Sequence, residues 1–335
     1  MKFVVLIVSI FLLASGCTEN IKDGKEIVSY ETTGQTLTKN ILCQPTEEDL
    51  VAKYQEYEDK MDVKLEDLPK CADFKPSDIK GSGIWEAIFV KPLAWAILNI
   101  GELVKNMGVS VMILGLLIRV ILFPLSRKST MQSENMKKAQ PELNNIEKKY
   151  ESLIKNAPGD KVSELNMAKS QETMMIYKKY GINPVSGCLV ALIQLPIFFA
   201  FLEAINRVPA IFEDTLMGMR LGMTPFKGIA SGQFYLYIIL LVLIIASTYF
   251  SMKGSMSQGS GEVAKQMAFM SKAMMIVIAV ASLNLPTAIA LYWIVTNAFQ
   301  IVQTLVTKKI TTKNSPKSKG AKKVKEAKIS KKRGK

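Results

Sequence analysis

The chain has 335 residues, 43 Lys and Arg against 29 Asp and Glu, four Cys and no His, with 49% hydrophobic residues. That is too apolar for disorder, and long apolar runs between charged blocks point to a bilayer as the solvent. Without His there is no His-ligated zinc, no Ser-His-Asp or Cys-His nucleophile pair and no His-dependent intramembrane protease, so neither catalytic residues nor a metal or cofactor are expected.

Lys2, the apolar run Phe3 to Ala14 and the small residues Ala14-Ser15-Gly16 read as a signal peptide over residues 1–16. Cys17 directly after them resembles a bacterial lipobox, in which the thiol is diacylated, with palmitate for example, and becomes the mature N-terminus. The other reading, an uncleaved anchor with an incidental Cys, leaves the next segment equally outside the cytoplasm. Residues 17–83 are therefore an extracytoplasmic segment. There Cys43 and Cys71 either close a disulfide, in an oxidising exterior, or stay two free thiols, since spacing alone does not decide. A Thr-rich start and an acidic stretch around Glu47 to Asp67 suggest a partly helical tether.

Ile84 to Asn106 is apolar but carries Lys91, Asn99, Glu102 and Lys105 on one helical side, with Trp85 and Trp95 as interfacial anchors. It reads as an amphipathic helix lying on the outer surface. Five transmembrane helices follow, at Val109–Leu125, Val185–Ile205, Phe234–Phe250, Met267–Leu285 and Thr287–Val306, the last two joined in a tight hairpin at Pro286. Cys188 packs inside the second. Residues 17–107 hold 11 basic and 17 acidic residues, 127–182 hold 11 and 7, and 307–335 hold 13 and one. Because Lys and Arg collect on the cytoplasmic side, the N-terminus is outside and the C-terminus inside, as an odd number of spans requires.

The cytoplasmic loop 127–182 reads as an antiparallel helical hairpin. Met136, Ala139, Leu143, Ile146, Tyr150 and Leu153 recur in steps of three and four, and Asn156-Ala157-Pro158-Gly159 makes the turn. Its methionines, Met131, Met136, Met167, Met174 and Met175, either fill the seam or present an adaptable surface to varied apolar segments. The tail 308–335, with Glu326 its only acid, is expected to be disordered and cytoplasmic; it fixes topology or touches anionic lipid, or else binds ribosomal RNA.

Arg119 stands in the middle of the first span, where burial costs at least ~2.5 kcal/mol, and the spans hold no Asp and only Glu203 near an outer end. Snorkelling toward the interface is one account. Gln194 and the stripe Trp293, Asn297, Gln300 and Thr304 suggest another, a hydrated groove lined by several helices, although interhelical hydrogen bonds would also explain the amides. A groove with a positive charge suits an anionic or polar group that visits and leaves.

These residues resemble the YidC-type membrane insertases, the group that includes the mitochondrial Oxa and chloroplast Alb proteins. The likeness spans roughly residues 84–307. It rests on Ile118-Arg119 with Pro124, Gln140-Pro141-Glu142-Leu143, Tyr177 to Pro184 leading to Gly187-Cys188, Leu192 to Phe199, and Ala290 to Asn297. The resemblance implies an all-α polytopic membrane protein with five transmembrane helices around a hydrophilic groove open to cytosol and lipid but closed to the exterior, in which Arg119 and Gln194 match groove positions. Trp293 stands where many members have Tyr. Nascent membrane proteins would be the substrates, with the Sec translocon, the ribosome and membrane lipids as partners. The lipobox and short ectodomain resemble the Gram-positive form. Rival readings are a small anion or solute transporter binding through Arg119, against which no inverted repeat is evident, and a structural lipoprotein scaffold, which leaves Arg119 unexplained.

Overall fold

The computed structural model describes residues 18–79, 83–183, 186–253 and 262–313. The signal peptide, Cys17, the 254–261 connection and tail residues 314–335 lie outside the described residues, as do the side chains of 186–194. The main helices are α1 Glu48–Glu56, α2 Glu86–Val104, α3 Met107–Ile121, α4 Phe123–Lys155, α5 Val162–Tyr180, α6 Ser186–Asn206, α7 Phe234–Lys253, α8 Glu262–Asn284 and α9 Thr287–Lys313. The chain divides into two compact units. One comprises Met1–Ile121, Ala191–Tyr249 and Met274–Asn297; the other comprises Leu122–Val190, Phe250–Ala273 and Ala298–Lys335.

In the first unit, the segment expected to be a tether is instead a folded layer. Its apolar residues lack any regular period, so no element announces itself in the sequence. Short pairings gather them: Lys22–Asp23 (β1) pairs antiparallel with Glu26–Ile27 (β2) around Gly24, and single bridges join Asn20 to Thr38 and Ser29 to Thr36. Helix α1 adds Leu50 and Tyr54, one turn apart, to a core of Ile21, Val28, Tyr30, Leu37, Ile41, Leu65 and Leu68. Cys43 and Cys71 are bonded, across a sequence separation of 28. A layer this small buries too little apolar surface to stand unaided, and a covalent staple is a usual remedy.

Helix α2 begins with a π turn at Glu86–Val90 and buries Val90, Ala94, Ile97, Leu98 and Gly101 while exposing Phe89, Trp95 and Leu103. Lys105, in the left-handed region, ends it. The Asn106 side chain then caps α3 by accepting from the Val109 N–H at 2.9 Å.

The span expected over 109–125 is interrupted. Helix α3 stops at Ile121, and α4 starts at Phe123 with Pro124 in its first turn, where a missing N–H costs nothing. The helical hairpin consequently begins before residue 127. Helices α6 and α7 start within a residue of expectation, α8 already at Glu262, and α9 runs on to Lys313. Among the described residues three helices are long and apolar enough to cross a membrane, or four if α3 and α4 make one broken span. One of the three is Glu86–Val104, expected to lie on the surface. Helix α7 exposes Ile238, Ile239, Val242, Leu243 and Ile245, as a helix does whose solvent is lipid.

The second unit contains the hairpin of α4 and α5. Its antiparallel register is written in side-chain pairs: Glu142 with Lys179 (2.7 Å) and Tyr180 (2.7 Å), Glu147 with Lys169 (2.8 Å), and Glu172 with Lys149 (2.6 Å) and Tyr150 (2.9 Å). Of the expected seam, Ala139 and Tyr150 are buried and Leu153 is exposed. Hydrogen bonds hold Glu142 and Glu172 below the ordinary carboxylate range, from Lys179 and then Tyr180 for the first, from Lys149 and then Tyr150 for the second.

Candidate functional site

Arg119 lies in the last turn of α3, half-buried, with Leu116, Leu117, Val120 and Ile121 exposed around it. One turn earlier, Gly115 lets Tyr292 of α9 come close: a Cβ at Gly115 would sit 3.0 Å from the ring. The Tyr292 ring is stacked on Phe201 of α6, with centroids 4.2 Å apart, and Tyr292 lies within electrostatic reach of Arg119. Trp293 meets Phe198 edge-on at 5.3 Å and lines a small apolar pocket with Ile244, Ile278, Ser282, Leu285 and Ile289. The first unit thus places Arg119, Tyr292 and an aromatic cluster from α6 and α9 together.

The amide stripe is less uniform than its spacing suggests. Asn297 donates through Nδ2 to Thr248 Oγ1 of α7 at 3.0 Å, an interhelical bond between two side chains. Gln300 is half-buried and belongs to the second unit, where its carbonyl accepts from Thr304 Oγ1 at 2.8 Å. Gln194 is in α6, its side chain outside the described residues. Gln303, which sequence reasoning passed over, is buried and donates to Ser126 Oγ at 2.9 Å and Thr130 Oγ1 at 3.4 Å, tying α9 to the start of α4. Its spacing of three from Gln300 was the available signal.

On α5, Met167, Met174 and Met175 are 61%, 50% and 60% exposed; Met131 on α4 is also exposed and Met136 is half-buried. Among the described residues no three His, Cys, Asp or Glu are grouped to hold a metal ion.

A mostly helical chain with apolar, outward-facing helices and an arginine half-buried in one of them defines a helical membrane protein. Residues 99–315 match the family model described as 60Kd inner membrane protein, and the chain belongs to that family. It is 35% identical over 245 residues to Membrane protein insertase YidC of Oceanobacillus iheyensis, covering 72% of this chain and 91% of that protein. It is 35% identical over 230 residues to Membrane protein insertase YidC 2 of Bacillus anthracis, covering 68% and 83%. With Membrane protein insertase MisCA of Bacillus subtilis the identity is 33% over 252 residues, covering 74% and 89%. The folded layer at 18–79 precedes the stretch that the family model matches.

Proposed function

We propose that the protein is a membrane protein insertase that helps nascent membrane proteins enter the cytoplasmic membrane. The observation that carries this is membership of the 60Kd inner membrane protein family, with relatives named as insertases over most of their length. The transporter reading finds no support among them.

An insertase lowers the cost of drawing a polar tail through hydrocarbon while the adjoining apolar segment partitions into lipid. Apolar burial and the membrane potential supply the driving force. In this reading Arg119 pairs briefly with acids in the passing tail, Gln194 and Gln300 keep the path wet while Asn297, bonded to Thr248, ties α9 to α7 beside it, and Met131, Met136, Met167, Met174 and Met175 receive the apolar segment. The exposure of the α5 methionines favours that last role over seam filling.

Five spans with the N-terminus outside and the C-terminus inside remain the topology we propose. Its support is that 18–79, the 207–233 connection and the turn before α9 bond to one another, as segments on one side would. Thr224 N–H donates to Thr33 O at 2.9 Å, and Thr287 Oγ1 donates to Met223 O at 2.8 Å. Acylation of Cys17, contact of the basic tail with ribosomal RNA and work beside the Sec translocon complete the proposal.

The test compares insertion of paired reporters with acidic and neutral translocated tails, at matched levels of folded protein. Arg119→Lys should retain much of the activity, and Arg119→Ala should fail chiefly on the acidic tail. Equal, near-normal insertion of both reporters by Arg119→Ala would contradict the charge mechanism.

A further inference from the structure

We propose that residues 18–79 are an extracytoplasmic cap that closes the outer end of the helices, and that Arg207 is the positioning residue holding it there. The inference rests on the insertase reading for its purpose but not for its geometry.

Arg207 follows α6 directly and is only 2% exposed. Its guanidinium engages three separate segments. Nη1 meets Glu203 Oε1 of α6 at 3.2 Å, Nη2 meets Glu86 Oε1 of α2 at 2.6 Å, and Nε donates to the Asn40 carbonyl of the cap at 2.5 Å. The Arg207 carbonyl in turn accepts from the Leu42 N–H at 2.8 Å. Glu203 is completed by Trp85 Nε1 at 3.0 Å, and buried Lys91 of α2 donates to the Ile79 carbonyl at the far end of the cap. Two carboxylates, an arginine and a lysine therefore balance in a cluster that is buried except at Glu86, which is half-buried at its rim. A buried charge network is costly unless every member is satisfied, which makes this cluster a determinant of one arrangement rather than a general source of stability.

The cap is fastened elsewhere as well. Glu213 accepts from Thr46 N–H (2.7 Å), Thr46 Oγ1 (2.6 Å) and Glu47 N–H (3.0 Å), and Arg220 pairs with Glu47. Gly34 of the cap, at φ +76°, leaves room for Lys227 and Thr224; a Cβ there would stand 2.8 Å from Lys227 Cγ. The disulfide sits at the junction. Cys43 is one residue beyond Leu42, and Leu42, Cys43, Cys71 and Phe74 share one apolar core with Trp85, Phe201, Ala204 and Val208. The staple thus fixes the strip from Asn40 to Leu42 that Arg207 grips. A molecule that passes polar tails outward needs its outer end closed between substrates. A cap covalently folded and clamped by a buried arginine meets that need.

The test uses the full chain in right-side-out vesicles, with Cys188→Ala as background and Ala204→Cys as the probe, since Ala204 is fully buried in the shared core. A membrane-impermeant maleimide is added from outside. The parent should stay unlabelled. Arg207→Gln should raise the labelling rate at least ~tenfold, and Cys43→Ser with Cys71→Ser, which frees a loop of 28 residues, by up to ~400-fold. Arg207→Lys, which keeps the charge but loses the three-way fork, should fall between parent and Arg207→Gln. Reporter insertion in the same vesicles reads the insertase function separately. A parent labelled as fast as its variants, or variants as protected as the parent, would overturn the cap. So would loss of folded protein in both variants together, because the segment would then serve the fold and not closure.

Discussion

Gly115 offers a case in which two known magnitudes oppose each other and the structure decides the sign. Replacing a glycine inside a helix by alanine ordinarily stabilises by about 1 kcal/mol, because less backbone entropy is lost. At Gly115 the new Cβ would lie 3.0 Å and 3.4 Å from the Tyr292 ring and 3.7 Å from Thr296 Cγ2. The ring is buried and backed by Phe201 at 4.2 Å, so it has little room to retreat. Overpacking of this kind costs ~1–3 kcal/mol, leaving a net destabilisation of about 1 kcal/mol for Gly115→Ala. In a Tyr292→Leu background the obstruction is gone and the same substitution should stabilise by ~0.5–1 kcal/mol, so the coupling between the two sites is about 2 kcal/mol. Equilibrium unfolding of the four proteins in one detergent measures it. Equal stabilisation by Gly115→Ala in both backgrounds would refute the close approach of α3 and α9.

Two pH effects follow from groups outside the membrane. Burial pushes the Tyr54 hydroxyl up to about 12, with the Thr38 backbone opposing it; the folded cap keeps the proton longer than the unfolded chain. Its stability is therefore full below pH 10 and falls by up to ~3 kcal/mol between pH 10 and 12. Phenolate absorbance should show a component titrating near pH 12, and Tyr54→Phe should remove it. Glu142 and Glu172 sit below their ordinary pKa of 4.5, so their pairs support the hairpin above that pH and release it as pH falls through the lowered values. Helicity of a 123–183 peptide should drop in acid, and Glu142→Gln with Glu172→Gln should flatten that response.

The sequence made the long helices legible because twenty apolar residues in a row have few alternatives, and charge asymmetry suggested their order across the membrane. It missed the break at Leu122 because Ile121, Leu122 and Phe123 are as apolar as their neighbours, and the only cue was Pro124 two residues after the break. It missed the cap for the opposite reason. Strands of two residues carry no period, and the partners of Asn40, Leu42 and Thr46 lie more than 160 residues away. The Glu203 and Arg207 pair, four apart across the end of α6, was readable as a local ion pair, but nothing in the spacing announced Glu86 as its third member.

The amides show where periodicity stops informing chemistry. Asn297, Gln300 and Thr304 fall on one helical stripe, which treats them as equals, yet the Asn297 amide is bonded to Thr248. A bond of this kind between membrane helices is worth ~0.6 kcal/mol on average and under ~2 kcal/mol at most. If it is glue, Asn297→Ala and Thr248→Ala should each cost about that much, and the double variant should cost no more than the larger single loss. Insertion per folded molecule should then stay near normal for acidic and neutral tails alike, unlike Arg119→Ala. If the Asn297 amide instead wets the path of the tail, Asn297→Ala should slow insertion while Thr248→Ala leaves it unchanged. Unfolding of the four proteins in detergent and reporter insertion in vesicles supply the two readouts. Additive stability losses together with slow insertion confined to Asn297→Ala would return Asn297 to the substrate path and overturn its assignment as a link between α7 and α9.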